Sequence, residues 1–223
     1  MMWIRKLKIK INNLLSKENK KISLEALKHN SLENVDFLNK YINHWLRAKD
    51  SDERFLLNAY QELINMVELN DEKYVADYGC GTGVLVNLIK SNFQSINITG
   101  YDFSTEKIDR CKEFYTHLPG CFAVGSLYEV PKNAFDVIFC TEVLEHLDDP
   151  ELAFNNLIGG LKKNGKLVIT VPNGRTDTFI GHIHFWSPES WKLFIEKNSL
   201  SSIEVRTGSI AGKLYAFVVR GEN

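Results

Sequence analysis

The chain has 223 residues, 44% of them hydrophobic, so it can bury a full core, and its length favours one domain with some elaboration. A formal net charge of −1 disfavours nucleic acid as the main partner, because proteins that bind phosphate backbones usually carry a basic excess. The four cysteines are scattered, which argues against a disulfide framework or a zinc knuckle and predicts a cytoplasmic location. No apolar run is long enough to span a bilayer, so we do not expect an integral membrane protein.

The first predicted element is a basic amphipathic helix over residues 1–21. Apolar residues recur there at helical spacing from Trp3 to Leu15. Basic residues lie among them: Arg5, Lys6, Lys8 and Lys10. The pattern fits peripheral attachment to an anionic membrane surface or to a partner groove, and the more ordinary interpretation is a lid packed on the chain's own domain.

Helical spacing of apolar residues continues from residue 31 to residue 69, with a predicted break between two helices at residues 50–52. No glycine or proline interrupts this region. We therefore predict that residues 1–72 form an N-terminal helical cap or lid, and that residues 73–223 form a separate cofactor-binding domain.

After Lys73 short apolar runs alternate with helical stretches, which is typical of βαβ units and a mostly parallel sheet. The predicted strands cover residues 74–78, 97–101, 121–124, 135–140, 166–171, 202–206 and 214–219. The predicted helices between them cover residues 84–92, 105–117 and 150–161, the last closed by Asn164-Gly165.

The strongest motif joins the first predicted strand to the next helix and reads Asp77-Tyr78-Gly79-Cys80-Gly81-Thr82-Gly83. Glycines let the chain turn sharply and bring its backbone against a ligand. A dinucleotide site would place a glycine at Val84, so the spacing favours a nucleoside cofactor without phosphate, such as S-adenosylmethionine. Asp77 suits its ammonium group, and backbone N–H groups at the helix start suit its carboxylate.

On these residues the chain resembles the class I methyltransferases, especially the subgroup with the ubiquinone-pathway O-methyltransferases, from about residue 73 to residue 200. The resemblance implies an α/β fold with a Rossmann-like, doubly wound, seven-stranded sheet, mostly parallel with one antiparallel strand. It also implies S-adenosyl-L-methionine as the cofactor. The cofactor-binding residues predicted in this way are Asp77, Gly79, Cys80, Gly81, Gly83, Asp102, Phe103, Ser126, Leu127 and Thr141.

At two of these positions the role in cofactor binding is less direct. Asp102 ends the second strand, where its two oxygens suit the ribose hydroxyls, although a carboxylate there can also cap the following helix. Ser126 stands where the family usually has an acidic residue that accepts from the adenine amine. The adenine contact therefore departs from the family pattern.

Candidate catalytic residues follow the fourth strand and recur in a later loop. In an open α/β sheet the ligand crevice lies at the carboxyl ends of the strands, so residues 140–146 should line it. Methyl transfer from a sulfonium depends mostly on alignment, with removal of the acceptor's proton where its pKa is high. His146, His182 and His184 are the candidate bases, the last two on the loop before a helix predicted to begin at Ser187-Pro188.

A divalent cation is a second way to activate the acceptor. Carboxylates and histidines in one pocket suit a cation such as Mg²⁺. The resemblance to ubiquinone-pathway enzymes and to small-RNA 3′-terminal 2′-O-methyltransferases implies the ligands Glu142, Glu145, His146 and His182. A helical segment over residues 142–146 would bring the first three to one face, but relatives without a metal share the pattern.

Three hypotheses of function follow from the sequence. We favour O-methylation of a small-molecule acceptor. The alternatives are a metal-dependent RNA 3′-terminal 2′-O-methyltransferase, against which the net charge speaks, and a cofactor-binding module that has no catalytic activity and acts through its basic N-terminal helix.

Overall fold

The computed structural model describes residues 50–199 and 202–221. The predicted amphipathic helix over residues 1–21 and the first part of the predicted helical cap lie outside the described residues. Membrane attachment and the lid therefore both stay predictions. Among the helices that are described, none is long and apolar enough to cross a bilayer.

The described elements alternate between helices and strands. The helices are α1 Asp50–Asn65, α2 Val84–Asn92, α3 Thr105–Phe114, α4 Pro150–Gly160 and α5 Pro188–Asn198, together with a single-turn 3₁₀ helix, Leu144–His146. The strands are β1 Tyr74–Tyr78, β2 Asn97–Asp102, β3 Phe122–Val124, β4 Phe135–Thr141, β5 Leu161–Pro172, β6 Ser202–Ile210 and β7 Lys213–Arg220.

The seven strands form one sheet in the order β3-β2-β1-β4-β5-β7-β6. Strand β7 runs antiparallel to both of its neighbours, β5 and β6, while the pairs on the other side of the sheet are parallel. This confirms the predicted Rossmann-like sheet with one antiparallel strand.

Helices cover both faces of the sheet, and each face has its own core. The first core combines β-strand residues with residues from α1, α2 and α3, among them Leu63, Val86, Ile89, Ile108, Val137 and Phe139. The second combines the opposite strand faces with α4 and α5, among them Ala76, Ile138, Phe154, Leu157, Trp191 and Ile195. Because the central strands are buried on both faces, their sequences are nearly continuous apolar runs.

Several predicted boundaries were wrong. Strand β5 begins at Leu161, five residues before its predicted start, and β6 continues to Ile210 instead of ending at residue 206. Helix α3 ends at Phe114, three residues early, because Tyr115 leaves the helical conformation. Helix α4 ends at Gly160 and the chain enters β5 at once, so Asn164-Gly165 does not close that helix. Asn164 instead has a left-handed backbone (φ 60°) inside the segment assigned to β5, where it allows a local turn.

The strand order fixes where a ligand can bind. The chain fills the sheet outward from β1 to β3, then returns to the other side of β1 with β4. The crevice of such a sheet lies at this switch point, outside the carboxyl ends of the strands. The loops after β1, β2 and β4 therefore meet there.

Candidate active site

The glycine loop between β1 and α2 needs its glycines for conformation. Gly79, Gly81 and Gly83 have φ values of 80°, 53° and 77°, a left-handed region that other residues adopt at a cost. The loop is fastened to β2, because the backbone N–H groups of Gly79 and Cys80 both donate to the Tyr101 carbonyl, at 2.7 and 2.9 Å.

The glycines serve different purposes. A Cβ on Gly81 would meet only the Gly79 carbonyl oxygen, at 3.9 Å, so the backbone of Gly81 is open to a ligand. A Cβ on Gly83 would come within 2.9 Å of the Phe122 and Tyr115 rings, so this glycine is needed for packing.

Asp77 lies beneath this loop and is 1% exposed. Its Oδ1 has no hydrogen-bond partner among the described residues. Burial, followed by the charge of Asp102, raises the pKa of Asp77 to about 7. A buried carboxylate oxygen without a donor is costly, and a cationic ligand group would satisfy it. This arrangement fits the predicted role of Asp77 toward an ammonium group.

Asp102 ends β2 and is 2% exposed. Its Oδ2 accepts from the Gly81 N–H and the Lys107 ammonium, both at 3.1 Å, and its Oδ1 accepts from the Ser104 N–H at 3.0 Å. The N-cap of α3 is Ser104, whose side chain accepts from the Lys107 N–H. Asp102 thus joins the glycine loop to the start of α3. Lys107 contacts the same carboxylate, a partner that the sequence motifs did not predict.

The predicted adenine contacts lie just after β3. Ser126 Oγ accepts from the Tyr128 N–H at 3.1 Å, which stabilises a local turn. Leu127 is buried in the second core, and its carbonyl accepts from Asn156 at 3.1 Å. Phe103 lies beside the Lys107 ammonium, 5.7 Å from the ring centroid. The adenine contact stays a prediction.

Thr141 ends β4 at the crevice and is nearly buried. Its side chain is hydrogen-bonded to Tyr60, on α1. Burial, followed by the charge of Asp77, raises the pKa of Tyr60 above its ordinary value. Tyr60 therefore brings α1 to the site. The sequence did not predict this role, because a tyrosine on an amphipathic helix is usually a packing residue.

Glu142 does not lie with the other predicted metal ligands. Its backbone is left-handed (φ 56°) and precedes the 3₁₀ helix, so the expected helical face shared by residues 142, 145 and 146 does not form. Its carboxylate accepts from the Thr170 hydroxyl at 3.0 Å and forms an ion pair with Lys213. The expectation of a shared face was wrong because helical geometry begins two residues later.

Glu145, His146 and His182 do converge. One ligand atom of each lies within 4.8 Å of the others. Glu145 is fully buried, and neither of its carboxylate oxygens has a hydrogen-bond partner among the described residues. The Nε2 atoms of His146 and His182 lie 3.9 and 3.8 Å from Glu145 Oε1.

Both imidazoles are held through their other nitrogen. His146 Nδ1 lies 3.1 Å from the Gly181 carbonyl oxygen, and His182 Nδ1 lies 2.5 Å from Asp177 Oδ2. A carbonyl oxygen and a carboxylate accept hydrogen bonds, so these contacts assign the proton to Nδ1 in the neutral rings. The Nε2 lone pairs then face Glu145.

Burial also sets the protonation of this cluster. Burial, then the charge of Glu142, raises the pKa of Glu145 well above its ordinary value. Burial, then His182, lowers the pKa of His146 to about 4. Hence a neutral His146 faces a carboxyl group that resists ionisation until a positive charge is nearby.

His184 anchors the loop between β5 and α5 and does not join the cluster of Glu145, His146 and His182. Its Nε2 lies 2.8 Å from the Leu147 carbonyl oxygen, and its ring stacks on Trp186 at 5.2 Å. The carbonyl of Glu145 accepts from the N–H groups of Ile183 and His184 at 2.9 and 3.2 Å. This geometry favours His146 and His182 over His184 as the base.

The sheet order, the glycine loop after β1 and the carboxylate that ends β2 define a Rossmann-like domain whose crevice suits a nucleoside. A family model described as "Methyltransferase domain" matches residues 50–204, and the chain belongs to this family. It is therefore a methyltransferase of class I, and the family supports S-adenosylmethionine as its cofactor.

Relatives with curated names are similar over part of the chain. Trans-aconitate 2-methyltransferase from Escherichia coli O139:H28 is 33% identical over 114 residues, which are 50% of this chain and 44% of that protein. The chain thus matches less than half the length of this relative. The predicted ubiquinone-pathway subgroup is not confirmed by this similarity.

Solved structures share the fold at low identity. A putative methyltransferase in complex with the Haloferax volcanii Trm112 activator has a TM-score of 0.64 and 14% identity, covering 77% of this chain and 92% of that chain. Phosphoethanolamine N-methyltransferase 2 from Haemonchus contortus, in complex with S-adenosyl-L-methionine, has a TM-score of 0.64 and 15% identity, covering 74% and 53%.

Proposed function

We propose that the chain transfers a methyl group from S-adenosylmethionine to a hydroxyl oxygen of a small molecule. The observation that carries the proposal is the cluster of Glu145, His146 and His182, which directly follows β4 and presents two imidazole lone pairs next to a buried carboxyl group. A hydroxyl acceptor must lose a proton on methylation, and this cluster suits that loss.

The pocket residues bind and orient the cofactor, which supplies an electrophilic methyl group when bound. Asp77 receives its ammonium group, and the carboxylate of Asp102, held by Gly81 and Lys107, receives the ribose hydroxyls. The open backbone at Gly81 lets the ligand approach closely. Alignment of donor and acceptor then provides much of the rate enhancement.

The cluster activates the acceptor in one of two ways. Either the Nε2 atom of His182 takes the hydroxyl proton directly, since the lowered pKa of about 4 makes His146 a weak base, or both Nε2 atoms hold a cation that makes the loss of the proton easier. Asp177 favours either way, because its hydrogen bond to Nδ1 keeps the lone pair of His182 on Nε2.

The names of the relatives support a small acceptor. Trans-aconitate and phosphoethanolamine, in the printed names of two of them, are both small molecules. The near-neutral charge of the chain speaks against RNA.

A cofactor-binding module without activity is separated from an enzyme by assaying S-adenosylhomocysteine formation with a panel of small phenols, hydroxy acids and amines. Turnover with hydroxyl acceptors supports the proposal, and turnover confined to amines contradicts it.

Replacing Asp102 by alanine should weaken S-adenosylmethionine binding by about 1–3 kcal/mol, because hydrogen bonds to the ribose are lost. Calorimetry measures this change. Asp109→Ala is a matched control, since this aspartate lies exposed on the same helix that Asp102 precedes. Equal affinities of the two variants would contradict the ribose assignment.

A further inference from the structure

We propose that Lys213 binds a carboxylate of the acceptor, so that the acceptor is a hydroxy acid, and that Glu142 is the positioning residue that holds the Lys213 ammonium at the crevice. This deepens the proposed function, on which it rests for the location of the acceptor. Binding of acids is measured without turnover, so the two proposals can fail separately.

Lys213 lies at the half of the crevice that the cofactor residues leave free. In the proposed complex Asp77 and Asp102 hold the cofactor over the ends of β1 and β2, so we expect the acceptor over the ends of β4 and β5. Strand β7 is antiparallel to β5, and its first residue, Lys213, pairs with Pro172, the last residue of β5. Lys213 therefore lies at the edge of the sheet where the acceptor is expected.

The ion pair of Lys213 with Glu142 leaves N–H donors for a ligand. The Glu142 carboxylate accepts from the Lys213 ammonium through Oε2 and from the Thr170 hydroxyl through Oε1, the latter at 3.0 Å. An ammonium has three N–H donors, and Glu142 is the partner of this one among the described residues. Two donors remain, while each Glu142 oxygen already accepts a hydrogen bond. A carboxylate, which accepts and does not donate, fits this site better than an amine.

The ion pair is sheltered from solvent but can still be reached. The side chains of Lys213 and Glu142 are each 23% exposed, whereas those of Arg175 and Glu189, which form an ion pair at the surface, are 60% and 65% exposed. Water and salt screen partly buried charges less than exposed ones. A charge-assisted hydrogen bond from Lys213 to a ligand is therefore stronger here than one from a surface lysine.

The ion pair also lies near the cluster of Glu145, His146 and His182. Burial raises the pKa of Glu145, the charge of Glu142 adds to this effect, and the charge of Lys213 opposes it. Both charges of the pair are thus felt at the group that follows β4. One small acceptor can contact Lys213 through its carboxylate and the cluster through its hydroxyl.

Strained backbone lies on both sides of this ion pair. The non-glycine residues with left-handed backbone in the described part of the chain are Asn133, Glu142, Asn164 and Ala211. Asparagine tolerates this conformation, but glutamate and alanine rarely adopt it. Glu142 (φ 56°) is one member of the pair, and Ala211 (φ 49°) begins the two-residue turn that leads into Lys213. Such strain is concentrated at sites that clamp a ligand, which supports a binding role for the pair.

The test compares hydroxy acids with their neutral amides as ligands of the whole chain saturated with S-adenosylhomocysteine. The probes are glycolate, lactate, salicylate and 3-hydroxybenzoate, each beside its amide, and calorimetry measures the affinities. We expect at least one acid to bind about tenfold or more tightly than its amide, because the amide lacks the charge that Lys213 binds. Lys213→Met should remove this preference, and Lys213→Arg, which keeps the charge, should retain most of it.

Two further variants keep the result clear. Lys162→Met is the matched control, because Lys162 is also paired with a carboxylate, that of Asp136 at 2.8 Å, but near the beginning of β4 and so at the opposite edge of the sheet. It should leave the preference for acids within about threefold of wild type. The double variant Glu142→Gln/Lys213→Met removes both charges, so it leaves no unpaired carboxylate, and it should also lose the preference. Unchanged affinity for S-adenosylhomocysteine shows that each variant is folded.

The outcomes separate this proposal from the proposed function. The role of Lys213 is overturned if no acid in the panel binds more tightly than its amide, or if folded Lys213→Met keeps the preference. Methylation of hydroxyl acceptors without any preference for acids would leave the proposed function standing and contradict this proposal. A preference for acids that depends on Lys213, in a protein that methylates no hydroxyl group, would have the opposite meaning.

Discussion

Replacing His182 by asparagine is expected to lower kcat by at least about 100-fold, because His182 supplies one of two lone pairs that activate the acceptor. Asparagine keeps a donor near the position of Nδ1, so it can retain the hydrogen bond to Asp177 and the local fold. It removes Nε2, the atom that faces Glu145 at 3.8 Å. The loss is expected whether this nitrogen takes a proton or holds a cation.

The measurement is steady-state formation of S-adenosylhomocysteine, with cofactor affinity determined separately by calorimetry. Cofactor affinity should stay within about threefold of wild type, because this variant removes a group that activates the acceptor and leaves the cofactor-binding residues unchanged. His117→Asn, at an exposed histidine that contacts Asn87 of α2, should show wild-type turnover. A His182 variant that turns over at the wild-type rate would place the acceptor site elsewhere.

Replacing Asp77 by asparagine should weaken S-adenosylmethionine binding by about 100-fold, because a charge-assisted contact to its ammonium group is lost. The same change should stabilise the cofactor-free protein near pH 8 by an amount on the order of a few kcal/mol. Wild-type Asp77 must ionise in a buried site there, at the cost that raises its pKa to about 7. Chemical denaturation measures the stability, and calorimetry measures the affinity.

The pH dependence of these two effects has a definite sign. The folded pKa of Asp77, about 7, exceeds its ordinary value of 3.8, so the folded state holds this proton more tightly than the unfolded state. Its contribution to stability is therefore full below the ordinary pKa and is lost as the pH rises through 7. A cationic ligand favours the ionised form, so cofactor affinity should rise with pH up to about 7 and then level off. Asp77→Asn should lack both slopes, and slopes equal to those of wild type would assign them to another group.

Local patterns made most of the fold predictable. The bounds of β1 and α2 agree with their predicted ranges, because an apolar run, a glycine turn and an amphipathic stretch lie in immediate succession. The antiparallel position of β7 followed from the family resemblance and not from the residues. The end of α4 was predicted wrongly because Asn164-Gly165 is a typical turn sequence that can also end a helix. Here the turn lies inside β5, and that position depends on the pairing of β5 with β4.

The candidate site was predictable from the residues mainly near the ends of strands, and His182 entered through the family resemblance. Asp77 and Asp102 lie at the carboxyl ends of β1 and β2, and Glu145 and His146 follow the end of β4. The topology of the sheet brings such ends together. Asp177, Tyr60 and Lys213 were missed because they act through contacts distant in sequence or through loop geometry. Lys213 pairs with Glu142 across 71 positions, a contact that no local pattern predicts.

The central claim is that the crevice at the switch point of the sheet binds S-adenosylmethionine and its product. The most direct measurement is a calorimetric titration of the full-length chain with S-adenosylhomocysteine, beside Asp77→Asn and Asp109→Ala. Wild type and Asp109→Ala are expected to bind at about one site with a Kd in the micromolar range, whereas Asp77→Asn should lose most of that affinity. Absence of binding by folded wild-type protein, or equal binding by Asp77→Asn, would contradict it.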